Sequence, residues 1–444
     1  MGLWEEILVM KICVHGLWHL GSVTAACLAY VGHDVVGLDD DLSNINNLKK
    51  GKAPLFEPGL DKMIYNAIDK GHLRITKNSK DAISDAEVLW VTFDTPIDED
   101  DQADVEFVLD KIKSVLPEIK DGAVVLISSQ VPIGTVRKLE NFIKGNFSNK
   151  KISFAYSPEN LRLGSAIDVF LNPDRIVVGI RNENTKKILE KLLSLISRKI
   201  EWMSVESAEM TKHAINAFLA MSVTFANEIA SICEMYGADA KEVERGLKTE
   251  TRIGPGAYLS PGGPFAGGTL ARDIDFLAKA AKDKSLTVPL LQSVRASNDE
   301  HKKWVQRKLF EKFSTLTKLS VAIWGLTYKP ETSTLRRSLA VELCDWLICE
   351  GANVHVYDPA VKKLPSRWDE KVDRFDNALE VLDNTKVLVI GTEWLEFRET
   401  AKKIFEVVED DYLVIDANGF LKNVILSQGI NYIAVGLPPT KEDK

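Results

Sequence analysis

Residues able to do chemistry gather at three places along the 444-residue chain. The first is a glycine-rich segment, Gly262-Gly263-Pro264-Phe265-Ala266-Gly267-Gly268-Thr269-Leu270-Ala271-Arg272-Asp273, where a hydroxyl (Thr269) and a carboxylate (Asp273) follow a stretch of bare backbone. An unactivated threonine hydroxyl is a far poorer nucleophile than a thiol, which ionises near about 8.5. None of the five cysteines (Cys13, Cys27, Cys233, Cys344, Cys349) lies near this loop in sequence. The second place is Lys212 and Asn216, one helical turn apart in an apolar, small-residue stretch. Such a pair faces one side and can reach a single site. The third is His15-Gly16-Leu17-Trp18-His19-Leu20-Gly21, directly after the apolar run Ile12-Cys13-Val14. A dinucleotide turn places glycines at 16, 18 and 21, the middle one letting the backbone approach a pyrophosphate. Here that residue is Trp18, which is expected to push the phosphates outward or impose a different loop path. Asp39 follows about twenty residues on, where an acid binds the adenosine ribose hydroxyls and repels the extra phosphate of NADP. Gly16, Trp18, Leu20, Gly21 and Asp39 therefore point to NAD as the cofactor.

The elements that must position these groups alternate between strand and helix patterns from Lys11 to about Trp202. Strands are predicted at Lys11 to Val14, Asp34 to Asp39, Glu87 to Thr92, Gly122 to Ile127, Lys151 to Phe154 and Arg175 to Gly179, with a helix from His19 to about Val31. Short buried strands joined by helices imply a mostly parallel sheet covered on both faces. From Val205 to about Asp239 the period becomes helical, and Ala208, Thr211, Ala214, Ile215, Phe218, Met221 and Phe225 trace one stripe. A helix this long connects domains, and its stripe needs a partner surface, so a dimer is expected. A second alternation, with strands at 319–325, Asn353 to Tyr357, Val387 to Ile390, Tyr412 to Ile415 and Tyr432 to Val435, reads as another Rossmann-like domain. The expected fold class is α/β, with two Rossmann-like domains (1–204 and 313–444) around a helical middle (205–312).

Composition bounds the function. A formal net charge of -8 argues against nucleic-acid binding, which needs a positive surface, and 27% charged residues are usual for a soluble globular chain. The odd cysteine count, without zinc spacing, reads as buried reduced thiols in a reducing compartment, and no metal site is expected. The first eleven residues lack a basic leader and a long apolar core, Met10 is a second candidate start, and no unbroken apolar run reaches about 18 residues. A cytoplasmic protein without membrane insertion is the expectation.

Longer motifs carry a resemblance. Leu48-Lys49-Lys50-Gly51-Lys52-Ala53-Pro54-Leu55-Phe56-Glu57-Pro58-Gly59-Leu60, Thr95-Pro96 with Asp104 beyond it, Ser129-Gln130-Val131-Pro132-Ile133-Gly134-Thr135, Ser157-Pro158-Glu159-Asn160-Leu161-Arg162-Leu163-Gly164 with Pro173-Asp174-Arg175, and Gly325-Leu326-Thr327-Tyr328-Lys329-Pro330-Glu331-Thr332 with Arg336 and Ser338 stand in order. Together with the glycine-rich segment they resemble the UDP-glucose/GDP-mannose dehydrogenase family across nearly the whole chain. The resemblance implies NAD-linked oxidation of a nucleotide-diphosphate sugar, with UDP-sugars favoured, by a homodimer. It implies catalytic roles for Lys212, Asn216, Asp273 and Glu159, the last handling water. Cofactor or diphosphate contacts are implied for Thr95, Gln130, Lys329 and Arg336. Substrate contacts are implied for Leu161, Arg162, Lys212, Asn216, Arg252, Phe265, Gly267 and Lys329, with Arg252 reaching across the dimer.

Thr269 falls where the family carries its nucleophilic cysteine, the group that captures an aldehyde and leaves a thioester to be hydrolysed. Leu163 replaces a glutamate near the same water, Gln130 a threonine, and Ser333-Thr334 an Asp-Asp pair. These losses fall on the aldehyde-to-acid half of the chemistry, while Lys212, Asn216, Asp273 and Lys329 are retained. Three readings stay open: a dehydrogenase that stops after one oxidation or makes acid slowly through an aldehyde hydrate, an oxidoreductase acting at a ring carbon with retained NAD, and a nucleotide-sugar-binding protein without turnover.

Overall fold

A computed structural model describes residues 9–96, 103–159, 161–266 and 268–438. The chain forms two compact units, Met1–Ala214 and Ile215–Lys444, whose boundary falls within one helix, Val205–Tyr236.

The first unit is built on an eight-stranded sheet of β1 (Lys11–His15), β2 (Asp34–Leu38), β3 (Leu73–Thr76), β4 (Val88–Val91), β5 (Val124–Ile127), β6 (Ser153–Tyr156), β7 (Ile176–Ile180) and β8 (Ile200–Ser204). Their order is β3-β2-β1-β4-β5-β6-β7-β8. All neighbours run parallel except β6 and β7, so the last two strands are reversed against the rest. The order turns back at β1, which lies between β2 and β4, and this switch point is where α/β sheets open a crevice beyond their carboxyl ends. Residues alternate between two apolar layers, as strands buried on both faces require: Ile12 and Val14 pack on one side, Cys13 on the other. β3 was not predicted, because Leu73-Arg74-Ile75-Thr76 carries only two apolar residues and owes its place to pairing with β2.

The second unit holds a six-stranded parallel sheet of β9 (Ser320–Trp324), β10 (Asn353–Tyr357), β11 (Val372–Arg374), β12 (Val387–Ile390), β13 (Leu413–Ile415) and β14 (Asn431–Ile433), ordered β11-β10-β9-β12-β13-β14. Between the long helix and this sheet lie, among the described residues, four further helices: Ala240–Thr249 before the glycine-rich loop, and Thr269–Asp283, Pro289–Lys302 and Trp304–Lys312 after it. Both sheets are Rossmann-like, as expected.

One expectation is corrected. Cys349 is exposed, whereas Cys13, Cys27, Cys233 and Cys344 are buried. Burial pushes the Cys27 thiol up to about 12 and the Cys13 and Cys344 thiols higher still, so none of these three is a ready thiolate. The long helix Val205–Tyr236 is apolar enough over 18 residues (mean hydropathy 1.3) to meet the length and composition of a membrane span, despite lacking an unbroken apolar run. Half of that window is buried within the protein. Its predicted stripe is only partly covered: Ala208 is buried, while Phe218 and Phe225 are 63% and 48% exposed and continue into Ile232 and Met235.

One ion cluster fastens the start of this helix to the first sheet. Arg181 at the end of β7 bonds Glu140 at 2.8 Å and Glu206 at 2.6 Å, and Arg137 bonds Glu206 at 2.6 Å. The Arg181 guanidinium draws the Glu206 carboxyl down to about 2. A carboxylate held below its unfolded value, about 4.3, adds stability above that pH and loses it as the pH falls towards 2. Partial exposure screens the pair to about 1 kcal/mol. Glu206→Gln is therefore expected to lower the melting temperature by about 2–4 °C at pH 7, with the gap closing as thermal melts are repeated from pH 5 to pH 2.5. A gap that stays constant over that range would show the cluster to be silent.

Candidate active site

The dinucleotide turn keeps its backbone form in spite of Trp18. Gly16 has φ +93°, and a Cβ on Gly21 would lie 1.8 Å from the Gly16 carbonyl oxygen, so only glycine lets the helix His19–Tyr30 start this close to β1. Trp18 precedes that helix with its side chain 45% exposed and makes no side-chain cap, while Leu20 is buried. Trp18 is thus left partly in solvent, and the glycine positions on either side keep the path of the turn. Asp39 Oδ2 accepts from the Leu17 amide at 2.6 Å and from Asn44 Nδ2 at 3.3 Å, and Oδ1 accepts from the Asp41 amide at 2.9 Å. The carboxylate remains half-buried.

The second unit offers a contrast. Gly325, at φ +87°, repeats the turn, and Asp358 repeats the acid. Asp358 is only 3% exposed, and its two oxygens accept from the amides of Leu326, Thr327, Ala360 and Val361 and from Trp394 Nε1. Five donors from its own chain occupy that carboxylate, while Asp39 keeps room for ribose hydroxyls. The turn in the first unit is the one that fits NAD.

Next to that turn, Thr95 is buried and its Oγ1 donates to the Gln130 carbonyl at 2.5 Å, joining the loops after β4 and β5. The Gln130 loop is in turn held by the start of the long helix. Glu209, fully buried, accepts from the Gly134 amide at 2.6 Å and the Val136 amide at 3.0 Å, and His213 Nε2 donates to the Val131 carbonyl at 3.0 Å. Burial raises the Glu209 carboxyl above its ordinary range, partly offset by these amides. One turn on, Lys212 is 7% exposed and its Nζ lies 2.6 Å from the Glu159 carbonyl oxygen and 3.5 Å from its carboxylate. The Glu159 carboxylate also accepts from the Leu161 amide at 2.9 Å. Leu161 packs on the core, whereas Arg162 and Leu163 are exposed.

In the second unit Asn216 Nδ2 donates to the Asp273 carboxylate; both side chains are buried, Asp273 completely. Thr269 opens the helix Thr269–Asp283 and is exposed, so its hydroxyl sits where the amides of a first turn point outward. The preceding loop is clamped by side chains that the sequence reading missed. Asn227 Oδ1 accepts from the Gly262 amide at 3.0 Å, His301 Nε2 donates to the Gly262 carbonyl at 2.8 Å, Asn298 bonds both the amide and the carbonyl of Phe265 at 2.9 Å, and Asn418 Oδ1 accepts from the Gly263 amide at 2.6 Å. A Cβ on Gly262 would meet Asn418 Oδ1 at 2.4 Å, so a larger residue there would have to displace the Asn418 side chain that clamps the loop. Burial lowers the His301 imidazole below its usual value, keeping it a neutral donor. The available signal was Asn and His at positions where helical periodicity calls for apolar residues (Asn227, Asn298, His301). Arg337 was also missed: its Nη1 would lie 3.0 Å from a Cβ on Gly268. Lys329 is half-buried, and Arg336 is exposed. Arg252 is exposed and paired with Glu250 at 2.9 Å. Gly267 and Asn160 lie outside the described residues.

The first unit thus holds an NAD-type turn with an open acid and a buried ammonium beside a carboxylate, and the second holds a buried carboxylate–carboxamide pair and a clamped glycine loop. Comparisons agree with these features. The NAD-binding, central and UDP-binding domain profiles of the UDP-glucose/GDP-mannose dehydrogenase family match residues 10–196, 206–300 and 322–423. A UDP-glucose 6-dehydrogenase of Rhizobium meliloti is 32% identical over 437 residues, covering 97% of this chain and all of the relative. One from Pseudomonas aeruginosa is 30% identical, covering 97% and 98%. The structure of a UDP-glucose dehydrogenase from Pyrobaculum islandicum superposes with a TM-score of 0.85 at 26% identity, over 98% of this chain and all of that one. The chain therefore belongs to the UDP-glucose/GDP-mannose dehydrogenase family, as an NAD-dependent enzyme that oxidises a nucleotide-diphosphate sugar.

Proposed function

We propose that the chain oxidises a UDP-sugar at its C6 hydroxymethyl group and releases chiefly the product of a single hydride transfer. The observation that carries this reading is the division within the site. Asn216 and Asp273 form a buried pair, and Lys212 is seated on Glu159. The place of the aldehyde-trapping thiol is read as Thr269, and Leu163 stands exposed where a carboxylate would assist water. NAD, held at Gly16, Trp18, Leu20, Gly21, Asp39, Thr95 and Gln130, would supply the hydride acceptor. Lys212 and Asn216 orient the sugar hydroxyl, and the Lys212 ammonium stabilises negative charge developing on its oxygen. Asp273, bonded to Asn216, fixes that geometry and is assigned the role of base. Leu161, Arg162 and Phe265 contact the sugar, and Lys329, Arg336 and the partner copy's arginine at position 252 answer the diphosphate charge.

In this reading the organisation is an NAD-binding domain over 1–204, a central domain over 205–312 and a nucleotide-sugar domain over 313–444. The exposed stripe of Phe218, Phe225, Ile232 and Met235 supports a homodimer along the long helix. Buried thiols support a reducing, cytoplasmic setting. The test is product stoichiometry with UDP-glucose, UDP-N-acetylglucosamine, UDP-N-acetylmannosamine and GDP-mannose in turn. The expected result is one NADH per sugar and an aldehyde or its hydrate with a UDP-sugar. Two NADH with a carboxylate would overturn the single-transfer reading. A ketosugar would place the chemistry at a ring carbon, and undetectable NAD binding would leave a binding protein.

A further inference from the structure

Glu57 is 4% exposed and lies far in sequence from every residue given a role above, yet its carboxylate joins two of the loops proposed to hold ligands. Oε2 accepts from His19 Nε2 at 3.1 Å and from the Gly164 amide at 2.8 Å, and Oε1 accepts from the Ala166 amide at 2.8 Å. His19 is the first residue of the helix that follows the dinucleotide turn. Gly164 and Ala166 end the loop that carries Glu159, Leu161 and Arg162 and begin the helix Ala166–Leu171. Three of the four joined positions also adjoin a large apolar side chain left in solvent: His19 beside Trp18 at 45%, Glu57 beside Phe56 at 84% and Gly164 beside Leu163 at 44% exposure. A fully buried carboxylate satisfied by three donors from two loops costs far more to break than a surface contact. The two loops therefore cannot move independently while the contacts hold.

We propose that Glu57 is a positioning residue that couples cofactor and nucleotide-sugar binding. Ordering the turn around Trp18 with a dinucleotide holds His19 against Glu57, and Glu57 in turn holds the 161–166 segment, through the Gly164 and Ala166 amides, in the form that receives the sugar. The inference rests on the ligand assignments proposed above and goes beyond them, since neither loop needs the other in order to hold its own ligand. Coupling of this kind is reciprocal: each ligand raises the affinity of the other by the same factor, about 5-fold or more.

The test is calorimetric titration of the full chain with UDP-glucose, without and with saturating NAD, and the reverse titration. The wild-type protein is expected to bind UDP-glucose at least about 5-fold more tightly with NAD present. His19→Leu removes the donor but leaves Glu57 on its two amides, and is expected to bring that ratio to within twofold. His19→Gln restores an N–H donor and is expected to recover most of it. Glu57→Gln, if it folds, should behave as His19→Leu; if it does not, the His19 pair decides. Full wild-type coupling in His19→Leu, or loss in His19→Gln equal to that in His19→Leu, overturns the inference. So does a wild-type protein that binds both ligands without coupling. A wild-type protein that binds neither ligand defeats the proposed function first and this inference with it.

Discussion

Thr269→Cys is expected to raise carboxylate formation from the UDP-sugar on the order of 10- to 100-fold, a lowering of the barrier by about 1.4–2.7 kcal/mol. The physical reason is nucleophile strength. Thr269 opens the helix Thr269–Asp283 at an exposed position, with no side chain capping its first turn. A thiol placed there gains from the positive end of the helix, which lowers its pKa and enlarges the thiolate fraction at pH 7. The sulfur adds to the aldehyde carbon to give a thiohemiacetal. Loss of hydride to NAD gives a thioester, and water cleaves the C–S bond to return the thiol and release the acid. Leu163 supplies no carboxylate to help that last step, so the variant should accumulate acyl-enzyme, visible by intact-protein mass spectrometry after a single turnover. NADH per sugar should move from one towards two. An unchanged product ratio with no covalent adduct would mean that the aldehyde never reaches this position, and the single-transfer account would fall with it.

Lys212→Met is expected to lower kcat by a factor on the order of 10²–10³ with a much smaller change in NAD affinity. Lys212 is buried, and its Nζ sits 2.6 Å from the Glu159 carbonyl oxygen, so the ammonium is held in one place before substrate arrives. A preset charge stabilises developing alkoxide without the reorganisation that water would need. Methionine is similar in volume and avoids a cavity, and removing the donor from Glu159 costs about 1–3 kcal/mol of stability. Steady-state kinetics with melting curves separates the two effects. A variant that melts lower yet keeps its kcat would place Lys212 among structural residues only.

Much of the architecture was legible because buried strands of Val, Ile and Leu recur at the spacing of strand–helix units. β10 and β12 were predicted residue for residue, and β1, β4 and β5 within one or two at each end. β3, β8 and β11 escaped; β3 did so because its backbone is extended by its neighbour rather than by its own composition. Within the site, Asp39, Lys212 and Asp273 were readable from motif position. The residues that hold them were not: Glu209 on the Gly134 loop, and Asn227, Asn298, His301 and Asn418 on the glycine loop are distant in sequence from what they bond. Trp18 was expected to push the phosphates outward or impose a different loop path, yet Gly16 and Gly21 preserve the close backbone approach, and Trp18 is left 45% exposed.

The order of residues along the chain was enough, by itself, to determine two α/β sheets, an NAD-type acid at the end of β2 and a glycine loop bearing a hydroxyl, since these depend on local periodicity and on side-chain type. Only the folded chain decided which acid stays open. Asp39 and Asp358 end equivalent strands, but five donors from its own chain surround Asp358, and Asp39 keeps acceptor capacity to spare. Tertiary structure likewise decided that Glu57 bonds both His19 and Ala166, contacts separated by 38 and 109 residues. Hydrogen-bond satisfaction of a buried carboxylate is a property of the surrounding three-dimensional space, which one-dimensional spacing does not encode.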